Sequence, residues 1–377
     1  MLYTQKIALT KTNDSNDSTD ICFNRISQFR LRGYIKATHT EWTRSAWLTD
    51  LVKYGQDTNA PYSKRNCAAK MSVSTATMSL PNPFLSDLKE DILFHLGPNT
   101  RDPKNIQKFR DTKFVIIGGT PSRMKLYAEK LSDLFKEEVL DFTSGDRYAF
   151  FKVGPVVTVS IFTVFYFPAW CRLGSVSVVL HEIIKLLYHA QCEDVALIRT
   201  GTCGGIGVEP GTVVVTRNAV NDRFQPVFEF SRLGETVSRS TKLCSELADS
   251  IMACQNNNIP IIKADTMCAE DFYECQGRLD GAICEITKEQ KMAFLQKAVE
   301  AGVRNIEMES CGIAALCNAC GVKAAVVCVT LIDRLKGDQL NTPTEILRKW
   351  EQRPFTVIVE FIKEQLKISS WKNGDAS

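Results

Sequence analysis

The sequence has little net charge and no concentration of charge of one sign. It carries 46 Lys and Arg against 43 Asp and Glu, a formal net charge of +3, and the basic residues form no block. Proteins that hold nucleic acid or a membrane surface electrostatically carry such blocks. We therefore expect neither partner, and any anion that binds should be small and locally recognised.

The sequence also lacks a secretory signal pattern, although it contains 14 cysteines in 377 residues. Many cysteines in a short secreted chain would indicate disulfides, but here they are scattered through apolar segments. We expect a reducing, cytoplasmic compartment.

No segment has the features of a membrane span. Val153–Cys171 carries no charged side chain and is long enough to be considered. Gly154, Pro155 and Pro168 interrupt it, and its flanks show no anchoring pattern. We predict that its first half is a buried strand of a protein without a membrane partner.

Three regions of the sequence differ in amino-acid composition and periodicity. Residues 1–80 are rich in Asn, Asp, Ser and Thr without periodicity, so we expect them to be mostly disordered or to come from a faulty gene model. Residues 81–370 form one predicted domain, and residues 371–377 form a polar tail.

The predicted domain alternates apolar runs with helical patterns. Lys113–Ile117, a turn at Gly118-Gly119 and a helical stretch Arg123–Phe135 indicate strand, turn and helix. This pattern predicts an α/β domain with a mixed or mostly parallel sheet. Further predicted strands are Val153–Ser160, Val195–Arg199, Thr212–Thr216, Ile261–Asp265 and Ala324–Ile332, and further predicted helices are Ser175–Gln191, Lys288–Ala301, Ser310–Ala319 and Phe355–Leu366.

Two clusters could hold an anion. The turn Gly118–Arg123 offers backbone N–H groups and a guanidinium, but it lacks the Lys of a P-loop and the third Gly of a dinucleotide fingerprint. Taken alone, this pattern favours an ordinary turn with a surface Arg. Arg199 at the end of an apolar strand needs an anionic partner, either a ligand at the strand end or an internal salt bridge.

Two further clusters could hold a nucleoside. In Asp271–Arg278, the Gln amide and the Arg donor fork could face the amide-like edge of a pyrimidine, although the stretch could also be a plain polar loop. In Asn305–Ser310, a Glu between strand and helix could accept two sugar hydroxyls, or simply cap the helix.

Together and in this order the clusters resemble the animal-type uridine phosphorylases of the nucleoside phosphorylase superfamily. The similar strings are KEDILFH, GGTPSRMK, DRYAFFKVGP, GTCGGIGVEPGTVV, TMCAEDFYECQGRLDGA, AGVRNIEMES and AAVVCVTLIDRLKGDQ. The resemblance implies a three-layer αβα domain with a central mixed sheet. It also implies reversible conversion of uridine and phosphate to uracil and ribose 1-phosphate in pyrimidine salvage, with no metal or organic cofactor.

The resemblance further implies the site residues and a homodimer with shared sites. The implied catalytic residues are Arg199, Gln276, Arg278 and Glu309. The implied phosphate ligands are Gly119, Arg123, Arg199 and Thr202, with Arg147 coming from a neighbouring subunit. The implied nucleoside ligands are Thr202, Phe272, Gln276, Arg278, Met308 and Glu309, with His95 coming from the neighbouring subunit.

One segment departs from the family pattern. Where the family has a glycine-rich loop after the strand ending at Ser160, this chain has the longer aromatic segment 161–172, IFTVFYFPAWCR. Bulky side chains do not allow the close backbone approach that glycine gives. The segment is either translated intron or a real insert. A real insert would make the chain a catalytically impaired nucleoside-binding paralogue or dimer partner. The CxxC spacing of Cys317 and Cys320 predicts packing in an apolar helix rather than metal binding.

Overall fold

A computed structural model describes most of the predicted domain. The N-terminal extension before Leu80, Arg147, most of the aromatic segment 161–172 and the tail 371–377 lie outside the described residues. The structure describes residues 80–144, 148–163, 172–254 and 258–368, without the side chains of residues 162, 163, 172 and 173.

The described residues form strands and helices in alternation, as the sequence predicts. The strands are β1 (Phe114–Gly118), β2 (Leu140–Asp141), β3 (Tyr148–Val153), β4 (Val156–Thr163), β5 (Ala196–Gly205), β6 (Val213–Val220), β7 (Val227–Arg232), β8 (Glu235–Ser240), β9 (Ile261–Cys268), β10 (Val303–Glu307) and β11 (Lys323–Asp333). The helices are α1 (Pro103–Gln107), α2 (Pro121–Phe135), α3 (Arg172–His189), α4 (Ser245–Ala253), α5 (Lys288–Glu300), α6 (Ser310–Ala319) and α7 (Thr344–Leu366).

The main sheet is mixed and partly closed. Nine strands follow the order β10-β9-β6-β11-β5-β1-β4-β3-β2, while β7 and β8 form a separate hairpin. Strand β10 pairs in parallel with β9 and also antiparallel with β5. The strands β5, β11, β6, β9 and β10 therefore close into a ring, in which Asn305 and Ile306 of β10 pair with the end of β5.

Helices cover both faces of the sheet because side chains on successive strand residues point to opposite faces. In β1, Val115 and Ile117 pack in the core that includes α3 and α6. The intervening Phe114 and Ile116 pack in the core that includes α2, α4 and α7. This arrangement confirms the predicted three-layer α/β class with a central mixed sheet.

Several predicted strand bounds differ from the structure, and two of the differences are large. The run predicted as one strand, Val153–Ser160, contains a turn at Gly154 and Pro155, and β3 and β4 run antiparallel on either side of it. The strand predicted to end at Arg199 continues to Gly205, because residues beyond Arg199 still pair with β11. An apolar run indicates a strand but not a turn inside it. It also does not extend over the Gly and Thr residues that continue β5 after Arg199.

Helix α7 is longer than the predicted helix Phe355–Leu366. It begins at Thr344, and its fully buried side chains start only at Pro354. The turns of α7 before Pro354 contribute no buried side chains, so the sequence has no apolar periodicity there that would predict a helix. Within the described residues, no helix combines the length and apolarity needed to cross a bilayer.

Candidate active site

One cavity of about 490 Å³ brings together all the predicted site residues within the described part of the chain, except His95. It lies where the end of β1, the middle of β5, the end of β10 and the segment after β9 meet. The predicted residues that line it are Gly119, Arg123, Arg199, Thr202, Phe272, Gln276, Arg278, Met308 and Glu309. Clusters far apart in sequence therefore share one site.

Arg199 is buried at the deep end of the cavity. Its Nη2 lies 3.1 Å from Oε2 of Glu307 and also pairs with Glu309. Its Nη1 donates to Sγ of Cys328 at 2.9 Å, while its Nε has no hydrogen-bond partner among the described residues. Arg199 therefore forms the internal salt bridge and also lines the cavity, while an anionic ligand for it stays a prediction.

The conformation of Arg199 depends on a neighbouring glycine. A Cβ placed on Gly201 would lie 2.2 Å from Nη1 of Arg199, well inside van der Waals contact. Burial disfavours the guanidinium charge, but the Cys328 sulfur and the two carboxylates raise the pKa of Arg199 above its ordinary value. Arg199 is therefore a fixed cation.

Glu307 is a site residue that the sequence analysis missed. Its carboxylate accepts the backbone N–H groups of Glu309 at 3.0 Å and Ser310 at 2.9 Å, where α6 begins. The helix-capping role that the sequence analysis weighed for a Glu in Asn305–Ser310 thus belongs to Glu307. Burial, together with the nearby Glu309 charge, raises the pKa of Glu307, and Arg199 opposes that rise. The sequence pattern that places a Glu between a strand and a helix was the signal from which Glu307 could have been found.

Arg123 is not the surface residue that the alternative interpretation allowed. It lies in the first turn of α2 and its side chain is only 13% exposed. Its Nη2 lies 3.0 Å from Oε2 of Glu351 on α7, and both Arg123 and Gly119 line the cavity. Two guanidinium groups and the N–H groups of the β1–α2 turn therefore face the same space.

The other end of the cavity is formed by the loop after β9. Arg278 donates to both oxygens of Asp280, from Nε and Nη2, at 2.9 Å each. Its guanidinium carbon lies 4.5 Å from the ring centroid of Phe272, which is 39% exposed at the cavity wall. The predicted aromatic and guanidinium groups thus lie side by side.

A buried Arg holds this loop in place and was also missed by the sequence analysis. Arg334 donates from Nη1 to Oε1 of Gln276 at 3.1 Å and from Nη2 to the Gln276 carbonyl at 2.9 Å. Its Nε donates to Oδ1 of Asp338 at 3.0 Å, which also accepts from Lys291 at 2.7 Å. Burial opposes the Asp338 charge, but Lys291 and Arg334 lower the pKa of this carboxyl. Arg334 lies in one of the family-like strings, which was its only signal.

His95 does not line the cavity of its own chain. Its Nδ1 lies 2.6 Å from Oε1 of Glu182 on α3, and its side chain is 36% exposed. This position is compatible with the prediction that His95 serves a neighbouring subunit. Arg147, predicted for the same role, lies outside the described residues.

Within the described part of the chain, no group of three or more His, Cys, Asp or Glu side chains could hold a metal ion. Cys317 is fully buried on α6 in the apolar core, and burial raises the pKa of its thiol. A neutral, buried thiol packs as a small apolar group.

Comparisons with known proteins identify the family that this chain resembles. The family model described as the phosphorylase superfamily matches residues 113–363. Uridine phosphorylase 2 of Mus musculus is 47% identical over 295 residues, covering 76% of this chain and 90% of the relative. The crystal structure of uridine phosphorylase from Schistosoma mansoni with uracil has a TM-score of 0.71 at 36% identity, covering 77% of this chain and 100% of that chain. A uridine phosphorylase structure from the oomycete Phytophthora capsici has a TM-score of 0.72 at 40% identity, covering 78% and 100%.

Proposed function

This chain belongs to the phosphorylase superfamily, and from that premise we propose that it catalyses the reversible phosphorolysis of uridine to uracil and ribose 1-phosphate in pyrimidine salvage. One observation carries the proposal. A single cavity has a buried guanidinium and two carboxylates at one end, and a Gln and Arg pair beside an aromatic ring at the other. An anion, a sugar and a flat amide-like base need these groups in this order.

Phosphate binds at the end formed by Gly119, Arg123, Arg199 and Thr202, with Arg147 of the partner subunit completing the site. The Nε of Arg199 supports this assignment, since it is buried without a partner among the described residues. A charge-assisted hydrogen bond contributes about 1.5–3 kcal/mol, and a buried donor without a partner is unfavourable. A small anion supplies the missing acceptor.

The nucleoside spans the rest of the cavity. Gln276 and Arg278 face the uracil edge beside Phe272. Met308, Glu309 and Thr202 contact the ribose, and His95 of the partner subunit reaches the 5′-hydroxyl. Arg334 donates to Oε1 of Gln276 and so fixes the orientation of the amide, whose nitrogen can donate to a uracil carbonyl.

The reaction follows from where charge develops. As the glycosidic bond lengthens, the ribose gains positive charge and the departing uracil gains negative charge. Phosphate and Glu309 stabilise the ribose, while Arg278 and Gln276 stabilise the uracil. Phosphate attacks the anomeric carbon directly, so the protein contributes positioning and electrostatics rather than a covalent nucleophile.

Several properties follow from this assignment. Inorganic phosphate is the co-substrate, and we propose that no metal or organic cofactor takes part. Because Arg147 and His95 serve the neighbouring site, the working unit is at least a homodimer. We place the enzyme in the cytoplasm.

A second candidate rests on the aromatic segment. Residues 161–172 contain no glycine, whereas the family has a glycine-rich loop at this point. If bulky side chains block the close approach to phosphate, the chain would bind nucleoside without turnover or serve as a dimer partner.

The test is phosphate-dependent release of uracil from uridine by the purified full chain. A matched variant has residues 161–172 replaced by a glycine-rich loop. Turnover by both proteins supports the phosphorylase. Turnover by the replaced variant alone, with uridine still bound by the original chain, supports the non-catalytic candidate. Failure of both to release uracil would contradict the proposed reaction.

A further inference from the structure

The segment that carries His95 is held against helix α3 at two separate points. Glu182, Lys185 and His189 follow one another at helical spacing and face this segment. Lys185 Nζ and His189 Nε2 contact the two oxygens of Asp91 at 2.6 and 2.8 Å. Glu182 contacts the segment further along, at His95.

The Glu182 carboxylate is directed almost entirely at His95 and the residue after it. It accepts the backbone N–H of His95 at 2.9 Å and that of Leu96 at 2.8 Å. Its Oε1 also lies 2.6 Å from the imidazole Nδ1. The Glu182 side chain is only 11% exposed. The carboxylate thus fixes both the backbone and the ring of His95.

The contact with Glu182 decides which ring nitrogen of His95 is available. An ionised carboxylate only accepts hydrogen bonds, so Nδ1 must carry the hydrogen. Nε2 is then the ring nitrogen left to meet a ligand. The ring edge also contacts Phe94, with centroids 5.2 Å apart, and Tyr148 lies on another side at 6.3 Å. Both the tautomer and the direction of the ring are therefore set before any ligand arrives.

Anchoring the segment does not require this contact. Leu93 and Leu96 are buried, and the Asp91 ion pairs already join the segment to α3. The His95 side chain is 36% exposed, so burial alone does not explain why its ring is held by a carboxylate. Holding an exposed imidazole in one tautomer is useful when that imidazole meets a defined group.

We propose that Glu182 is a positioning residue that presents Nε2 of His95 to the 5′-hydroxyl of the nucleoside in the neighbouring subunit's cavity. This inference rests on the proposed function, because it needs His95 at that hydroxyl. On this inference, Glu182 acts through His95 to make the enzyme prefer nucleosides that carry a 5′-hydroxyl over those that lack it.

The test compares uridine with 5′-deoxyuridine, which lacks only that hydroxyl. Glu182→Gln keeps the size of the side chain but removes the charge that selects the tautomer. We expect kcat/KM for uridine to fall about tenfold, the size of one weakened hydrogen bond, mainly through KM. We expect kcat/KM for 5′-deoxyuridine to change less than about twofold. His95→Ala should likewise lose activity on uridine but not on 5′-deoxyuridine. The double variant should lose little more than either single variant.

The matched control is His189→Gln, on the same face of α3 and in contact with Asp91 instead of His95. It should leave the ratio of the two substrates unchanged. Equal losses for both substrates with Glu182→Gln would assign Glu182 a purely structural role and overturn the inference. A His95→Ala variant that loses the same activity on both substrates would also overturn it. Absence of phosphate-dependent turnover of either substrate by the unmodified chain would instead reject the proposed function itself.

Discussion

The two ends of the cavity are built in different ways. At the phosphate end, Arg199 projects from the middle of a central strand, Glu307 is the last residue of another, and Glu309 follows it. At the base end, Gln276 and Arg278 lie on a loop that follows β9. The first set is part of the core, whereas the second set is attached to it.

This difference determines what each end can tolerate. The buried charges at the phosphate end compensate one another, so removing one leaves another unpaired where water cannot reach it. At the base end, Arg334 and Asp338 hold a loop whose aromatic residue is partly exposed. Damage at the phosphate end should therefore affect folding and catalysis together, while damage at the base end should affect catalysis with a smaller effect on folding.

The strongest test of the comparison is Arg199→Met. It removes the partner of two buried carboxylates and the proposed phosphate donor. We expect kcat/KM to fall on the order of 10³-fold and the free energy of unfolding to fall by about 3–5 kcal/mol. Uracil release and urea unfolding measure the two effects.

The control for Arg199→Met is Arg223→Met. Arg223 also pairs with a Glu, Glu229, but its side chain is 57% exposed. Exposed pairs contribute about 0–1 kcal/mol, so both stability and activity should stay close to their original values. A stable Arg199→Met protein would contradict the view that the phosphate end is part of the core.

At the base end, Arg334→Met should reduce kcat/KM for uridine about 100-fold, because a misplacement of about 1 Å in a positioning group has that effect. The variant releases Oε1 and the carbonyl of Gln276 from their donors. Asp338 keeps its contact with Lys291, so the loss of stability should be smaller than for Arg199→Met. An increase in the KM for phosphate, with the KM for uridine unchanged, would show that the two ends are not separate.

Gly201→Ala sharpens the comparison without removing a charge. The added Cβ would displace the Arg199 guanidinium, which lies 2.2 Å from that position. We expect the KM for phosphate to rise about tenfold, with the KM for uridine less affected. The control is Gly337→Ala, since nothing lies within 4 Å of a Cβ there. If both substitutions give the same KM values, the fit around Arg199 does not govern phosphate binding.

The smallest expected effects are in the pH dependence of stability, where the two ends have opposite signs. The pKa of Glu307 is raised above 4.5 in the folded chain, so its contribution to stability is lost as pH rises from 4.5 through the folded value. The pKa of Asp338 is lowered below 3.8, so its contribution is present above 3.8 and is lost as pH falls through the folded value.

Urea unfolding across these two pH windows measures the effect. Glu307→Gln should remove the decline above 4.5, and Asp338→Asn should remove the decline below 3.8. Identical pH profiles for both variants and the unmodified chain would show that neither carboxyl titrates differently on folding.

The two ends also differ in how far the sequence predicts them. General rules indicate an anionic partner for Arg199, either a ligand or an internal carboxylate, because an Arg next to a buried apolar run needs one. The same rules leave Gln276 and Arg278 as a polar loop, and only the family resemblance singles them out. The roles of the individual site residues and the shared dimeric site stay predictions.

Glu307 and Arg334 show why the rest was missed. Glu307 lies two residues from Glu309, and no local pattern indicates which of the two accepts the N–H groups at the start of α6. Arg334 lies 58 residues from Gln276, so their contact exists only in the folded chain.

The sequence by itself determined the α/β class, the order of strands and helices and the membership of the family, because periodicity and motif strings are local properties. Only the tertiary structure decided that β10 closes against β5, that Arg199 pairs with both glutamates, and that Arg334 and Glu182 support the site. These contacts join residues far apart in the chain. Their geometry depends on how buried charges find partners once water is excluded.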